Sequence, residues 1–146
     1  MCLVKQQRKQ HCIATEEFEC FKVIRYVYRK WYDGKYIRNF YETNYVEDFV
    51  TIPSLVYAEP YGCYKQLDNE EWLHGGVIHS FRFEEDAKKY CEWCNDCNVT
   101  WCKHVVVRCV IPAGTRYWYG KYHWSDYEKP YLCFGSEKIY YDKIIS

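Results

Sequence analysis

The chain has 146 residues, with 20 basic and 20 acidic side chains and a formal net charge of zero. That length suits one domain able to bury a core without staples. Neutrality removes the general phosphate attraction behind unspecific nucleic-acid binding, so general nucleic-acid binding is disfavoured and only a local basic patch stays open.

Residues 1–15 are polar, carry Lys5, Arg8 and Lys9 without a sustained period, and are expected to form a loose arm before a single domain spanning 16–146. No apolar export segment precedes that domain, so the ten cysteines are read as mostly reduced and the protein as cytoplasmic. No window approaches eighteen consecutive apolar residues, and no membrane partner is expected.

The run from Cys20 to Tyr28 is rich in β-branched and aromatic residues, and Asp33-Gly34 follows as a tight hairpin signal, with Lys35 to Tyr45 returning. Thr51 to Tyr57 contains Pro53, which must sit at a strand start or on a sheet edge. Pro60 to Glu71 is read as a loop. Leu73 to Phe81 is a glycine turn at Gly75-Gly76 feeding a short strand. From Phe83 the period changes: Phe83, Ala87, Tyr90, Cys91 and Cys94 fall on one helical face, and Glu84 with Lys88 and Glu85 with Lys89 are favourable i,i+4 pairs.

That helix, about 83–97, needs a surface to pack on. Val105 to Ile111 supplies a β-branched strand that should be covered on both faces. Pro112 to Thr115 is a turn. Arg116 to Tyr119 is the next strand, 120–130 a long loop, and Ile139 to Ile145 a last strand. The class expected is α+β, a mostly antiparallel twisted sheet with one main helix packed on it.

Cys91, Cys94, Cys97 and Cys102 have a spacing that suits zinc or an iron-sulfur cluster, with His104 nearby. The favoured reading is without a cofactor, because Cys91 and Cys94 already belong to the apolar helix face, where a reduced thiol is a small hydrophobe. His74 and His79 flank the glycine turn, and no serine or cysteine can be assigned to either as a triad partner. Arg25, Arg38, Arg82, Arg108 and Arg116 are interleaved with aromatics, a mixture in which guanidinium forks take phosphates and rings stack on bases. The competing reading is a solvated sheet face with tyrosines snorkelling. With seventeen tyrosines and six tryptophans, part of the aromatic set is expected at a recognition surface, because every buried phenol needs a partner.

The succession Gly76-x2-His79-x-Phe81-x2-Glu84-x-Asp86-Ala87-x2-Tyr90, then a Val-rich strand and Ile111-Pro112-x-Gly114-Thr115-x-Tyr117-x2-Gly120, resembles small phage and prophage proteins. It is also similar to Thoeris anti-defence sponges, which sequester cyclic ADP-ribose-type immune signals. The resemblance implies a non-enzymatic homo-oligomer in the host cytoplasm that binds a small nucleotide-derived signal. Arg25, Arg82, Arg108 and Arg116 would take phosphates, and Tyr26, His79, Phe81, Tyr117 and Trp118 would complete the ligand site. The same outline resembles ADP-ribosyltransferase-like folds using NAD, in which His79 and Glu137 would be the catalytic pair. A third class is a protein that blocks a host defence protein by surface contact, its exposed aromatics serving as anchors.

Overall fold

A computed structural model of the chain describes residues 4–43, 49–59, 67–73, 75–97, 100–123 and 129–146. Their strands are β1 (Val4–Gln6), β2 (Cys12–Ile13), β3 (Phe18–Tyr32), β4 (Lys35–Thr43), β5 (Phe49–Val50), β6 (Ser54–Tyr57), β7 (Trp72–Leu73), β8 (Ile78–Phe81), β9 (Cys102–Ile111), β10 (Arg116–Tyr122), β11 (Tyr131–Ser136) and β12 (Lys138–Ile144). One regular helix among the described residues, α1 (Glu84–Asn95), lies between β8 and β9.

The strands form one sheet in the order β6-β12-β9-β3-β8-β11-β10-β1-β7, with β4 and β5 added beyond β3 and β2 against β10. The pairings are antiparallel. The α+β class with a mostly antiparallel sheet is therefore what the chain adopts, although the sheet dominates.

Alternation along β3 and β9 explains why the sheet is covered on both faces. Phe21, Val23 and Val106 point to one core, shared with Ala87, Tyr90, Cys91 and Cys94 of α1, with Phe81, and with Trp118 of β10. Cys20, Ile24, Val105, Val107, Cys109 and Ile111 point to the other, where Phe134 of β11 and Ile139 and Tyr141 of β12 meet them. The second core has no helix over it among the described residues. It is enclosed because β11 runs through Glu137 directly into β12. β11 reaches β3 through β8, and β12 reaches β3 through β9, so the paired strands together with the chain connection at Glu137, and not pairing alone, close a circuit around that core.

The helix begins one residue later and ends two earlier than its pattern predicts. Phe83 occupies the cap position in extended conformation and offers no side-chain cap hydrogen bond. Three carboxylates in the first turn, Glu84, Glu85 and Asp86, compensate by facing the positive end of the helix dipole. Glu84 also reaches Lys88 at 3.3 Å, as the i,i+4 spacing predicts. Pro53 directly precedes edge strand β6, as its missing N–H requires.

Part of the expected loose arm is sheet. Val4 is fully buried, β1 pairs with both β10 and β7, and β2 pairs with β10. The segment expected as a long loop after Gly120 is shortened from both sides, because β10 runs to Tyr122 and β11 starts at Tyr131. His74, the far end of the return strand at 44–45, the loop residues 60–66 and the centre of the later loop at 124–128 lie outside the described residues.

Gly120 shows why β1 can lie so close. It is the register partner of Gln6, and a Cβ there would stand 2.1 Å from Val4 Cγ1 and 2.6 Å from the Lys5 carbonyl oxygen. Backbone cannot yield as a flexible side chain does. Gly120→Ala is therefore expected to expel β1 or strain β10, at a cost of about 1–3 kcal/mol. Chemical denaturation checks it, and an unchanged midpoint would mean that β1 does not pack as described.

Candidate functional site

Four of the five arginines singled out by interleaving sit in separate local settings. Arg25 on β3 places Nη2 3.0 Å from the fully buried carboxylate of Glu42, donates to the Thr43 carbonyl at 3.2 Å, and lies over the Trp101 ring. Lys30 approaches the same carboxylate oxygen at 3.6 Å and the same ring. Arg108 on β9 donates from Nε to Glu19 and from Nη1 to Asp142. Arg82, just before α1, donates to the Tyr119 hydroxyl at 2.7 Å and stacks on Phe83 and Tyr119. Arg116 is half-buried, with its backbone N–H donated to Glu137 Oε1 at 3.0 Å.

The rings chosen as base platforms divide in the same way. Phe81 is 1% exposed and Trp118 0%, so both are taken up by the helix-side core. Tyr117 is wedged edge-on between Phe18 and Phe134, and burial pushes its phenol pKa up. Tyr26 is half-buried and donates its hydroxyl to Asn39 Oδ1 at 3.1 Å. His79 is buried at 5% exposure, and its carbonyl accepts from Lys22 Nζ. These residues do not converge on one ligand surface.

A second well-built polar cluster escaped the sequence pattern. Asp68 accepts from the backbone N–H of His11 at 2.7 Å and from the Trp118 indole at 2.8 Å, and its Oδ2 lies 2.8 Å from His11 Nδ1. Burial alone would raise its pKa, but these donors together hold it below the usual carboxylate value. The cluster clamps the segment before β2 to the residues before β7. Its parts are 50 and 57 residues apart in sequence, which is why no motif betrays it.

The cysteine spacing resolves into separate environments. Cys91 and Cys94 are buried under α1, Cys102 is buried on β9 and Cys97 is exposed. Among the described residues, no group of three or more His, Cys, Asp or Glu side chains is placed to hold a metal ion. Burial, reinforced by neighbouring thiols, pushes Cys91 and Cys94 up to about 11.

A thiol whose pKa is raised by folding contributes stability that is complete below its unfolded value near 8.5 and is lost as pH rises toward the folded value. Stability should therefore decline between about pH 9 and 11. At pH 8, iodoacetamide should label Cys97 rapidly while sparing Cys91 and Cys94 until the chain unfolds. Mass spectrometry of the labelled peptides reads the result, and fast labelling of Cys94 in the folded state would contradict this packing.

The surface that combines cations and rings is the end of the β3–β4 hairpin. Asp33 and Gly34 both have positive φ, 49° and 74°, which makes the tight turn that twisted strands require. Pairing of β3 with β9 ends at Val27, whereas pairing with β4 continues to Tyr32 and Lys35. The residues past Tyr28 therefore form a two-stranded ribbon that runs on by roughly 13 Å, at about 3.3 Å per residue.

Lys30 reaches Glu42, and Tyr32 reaches Phe49 at 5.0 Å, so that side of the ribbon is turned to the body. The other side presents Arg29, Trp31, Tyr36 and Arg38, all exposed, with Trp31 at 70%. Arg29 faces Arg38 and Trp31 faces Tyr36 across the ribbon. Arg38 stacks over Tyr36 at 5.0 Å, and the Trp31 and Tyr36 rings meet edge-on at 5.3 Å. At the ribbon's base Tyr28 is 43% exposed and Lys103 lies over the Tyr26 ring.

Neither Arg29 nor Arg38 has a carboxylate partner among the described residues. Like charges directly opposed on antiparallel strands are destabilising, by roughly 0.2–1 kcal/mol. The signal was legible as a near-palindrome about the turn, Arg29-x-Trp31 against Tyr36-x-Arg38. Of these four residues only Arg38 is picked out by interleaving alone.

No family model, no curated protein and no solved structure matches the chain.

Proposed function

We propose that the chain is a non-enzymatic binding protein for a nucleotide-type ligand, a phosphate joined to an aromatic base, held on the outward side of the β3–β4 ribbon. The observation that carries the reading is the opposed pair Arg29 and Arg38 beside the exposed rings of Trp31 and Tyr36. A phosphate between the guanidinia converts their repulsion into two charge-assisted contacts. The base of the same ligand then lies against the rings. The ribbon side carries cations and rings, with Asp33 at its tip, and no described nucleophile backed by a base, which favours binding without turnover.

The finer form of the proposal is capture of an intact cyclic nucleotide or cyclic ADP-ribose-type signal by a phage-encoded homo-oligomer, and it is the resemblance that supports it. A transferase using His79 and Glu137 is less well supported. The imidazole is buried, and one carboxylate oxygen of Glu137 already accepts the Arg116 amide.

The test is a melting-shift panel of mononucleotides, cyclic dinucleotides and cyclic ADP-ribose isomers, followed by heating and identification of what is released. A ligand at a hundredfold excess over its Kd raises stability by about 2.7 kcal/mol. A shift abolished by Arg29→Ala with Arg38→Ala, and recovery of the unmodified compound, supports the reading. A chemically altered compound would move the function to an enzyme, and no shift with any nucleotide would leave the ribbon as an anchor for a protein partner.

A further inference from the structure

We infer that the ligand of the ribbon is a single-stranded nucleic acid, bound along its length and with little sequence preference. The inference rests on the nucleotide-binding reading above and narrows its ligand class.

The shape of the surface argues for a strand. Small-molecule sites are concave and enclose most of their ligand. Arg29, Trp31, Tyr36 and Arg38 lie instead on the open side of a projecting ribbon, where a mononucleotide could be touched from one side only. An extended strand offsets that loss by repeating the contact. The pair Arg29–Arg38 and the pair Trp31–Tyr36 are two residues apart along the ribbon, roughly 6.6 Å at the strand rise. One base can then lie on the rings while its neighbouring phosphate meets the guanidinia. Tyr28 and the Lys103–Tyr26 pair offer further ring and charge at the base of the ribbon.

The chemistry also selects against a duplex. Stacking on Trp31 and Tyr36 requires an exposed base face, which a paired helix does not offer. The chain as a whole is neutral, so duplex phosphates find no broad field to hold them. What attraction there is comes from a local excess among the described residues, with Arg29, Lys35 and Arg38 exposed at the ribbon end beside Asp33. Every base has a π face, so recognition by stacking tolerates sequence.

The experiment uses the full chain and fluorescein-labelled dT12 and dA12, read by anisotropy, with an unlabelled duplex of equal length, ADP and a cyclic dinucleotide as competitors. Both oligonucleotides should bind, and the duplex, ADP and cyclic dinucleotide should compete at least tenfold less well. With three cations engaged, the logarithm of affinity should fall with the logarithm of salt at a slope of about −2.

Trp31→Ala and Arg38→Ala should each weaken binding roughly tenfold without lowering the melting temperature by more than a few degrees, because both side chains are exposed, and Arg38→Ala should raise it slightly by relieving the opposed charges. Lys143→Ala, at an exposed position on β12, should bind as the parent does. Duplex binding as tight as the single strand, or Trp31→Ala binding unchanged, overturns the inference. Competition by ADP or the cyclic dinucleotide as strong as that of the unlabelled strand overturns it too, while leaving the nucleotide-binding reading intact. Absence of binding by oligonucleotide and nucleotide alike overturns both.

Discussion

Glu42→Gln is expected to cost about 3–5 kcal/mol of folding stability, roughly 10 °C in Tm for a chain of this length. Glu42 has no solvent exposure, and the cations beside it are only 12% and 21% exposed at Arg25 and Lys30. Glutamine keeps the shape and removes the charge, so two cations would be left against a neutral amide in a site sealed by Trp101. Although Arg25 approaches to 3.0 Å, neither carboxylate oxygen has an aligned hydrogen-bond donor among the described residues. The attraction is therefore mainly ionic and highly sensitive to charge.

The companion variant, Glu42→Leu with Arg25→Met and Lys30→Met, removes the three buried charges together and should regain most of the loss, since apolar replacement of a whole buried charge cluster is close to neutral. Thermal denaturation followed by circular dichroism separates the cases. A Glu42→Gln protein melting within a degree or two of the parent would show that the carboxylate does not hold the cations. The cluster also matters for binding, because it pins β3 to β4 where the ribbon leaves the body.

Trp118→Ala should cost a similar amount, about 3–5 kcal/mol, because a fully buried indole leaves a large cavity in the helix-side core. The loss has a polar part that Trp118→Phe isolates. Phenylalanine fills most of the volume but cannot donate to Asp68, and losing one hydrogen bond to this half-buried carboxylate costs about 1–2 kcal/mol. Asp68 also draws on His11, so the clamp on the N-terminal segment should loosen in both variants. Urea denaturation gives the free energies, and hydrogen exchange at the His11 amide reports the clamp. A phenylalanine variant as stable as the parent, with His11 still protected, would show that the indole donor is dispensable.

Acid should weaken the same clamp. The folded pKa of Asp68 is depressed, so its contribution is complete above the unfolded value near 3.9 and disappears as pH falls through the folded value.

Local pattern carried much of the fold. The four-residue spacing from Ala87 to Cys91, the Asp33-Gly34 turn and the valine run of β9 each name their element, and Pro53 names an edge. The elements that escaped are those whose length or composition carries no period. β1 and β2 have three and two residues, and they are strands only because Gly120 lets β1 approach and because β10 has a free edge to offer. β11 reads Tyr-Leu-Cys-Phe-Gly-Ser, with Gly135 paired to His79 and no room there for a side chain beside Leu73 and Val77.

The binding surface was less legible for a different reason. Interleaving of arginine with aromatics says which residues share a strand, but not which side of the strand meets water. Arg108 and Arg25 found carboxylates at Asp142 and Glu42, each contributed by another strand. Trp118 and Phe81 found a core. Arg29 and Arg38 are different, since the strand that each faces supplies only the other.

The circuit through β3, β8, β11, β12 and β9 also bears on how the protein reaches its native state. Closing it requires Phe18 to find Ile111 and Val107 to find Ile144, while β8 must pair with β11 across a helix and two further strands. Such distant pairings carry a loop-closure cost before any burial offsets it, and the curled sheet gains its inner core only when the last of them forms. Folding should therefore be slow for the chain's length, in the millisecond-to-second range. Until closure the β-branched edge of β9 lies open to other chains, so the yield of refolding should fall as protein concentration rises.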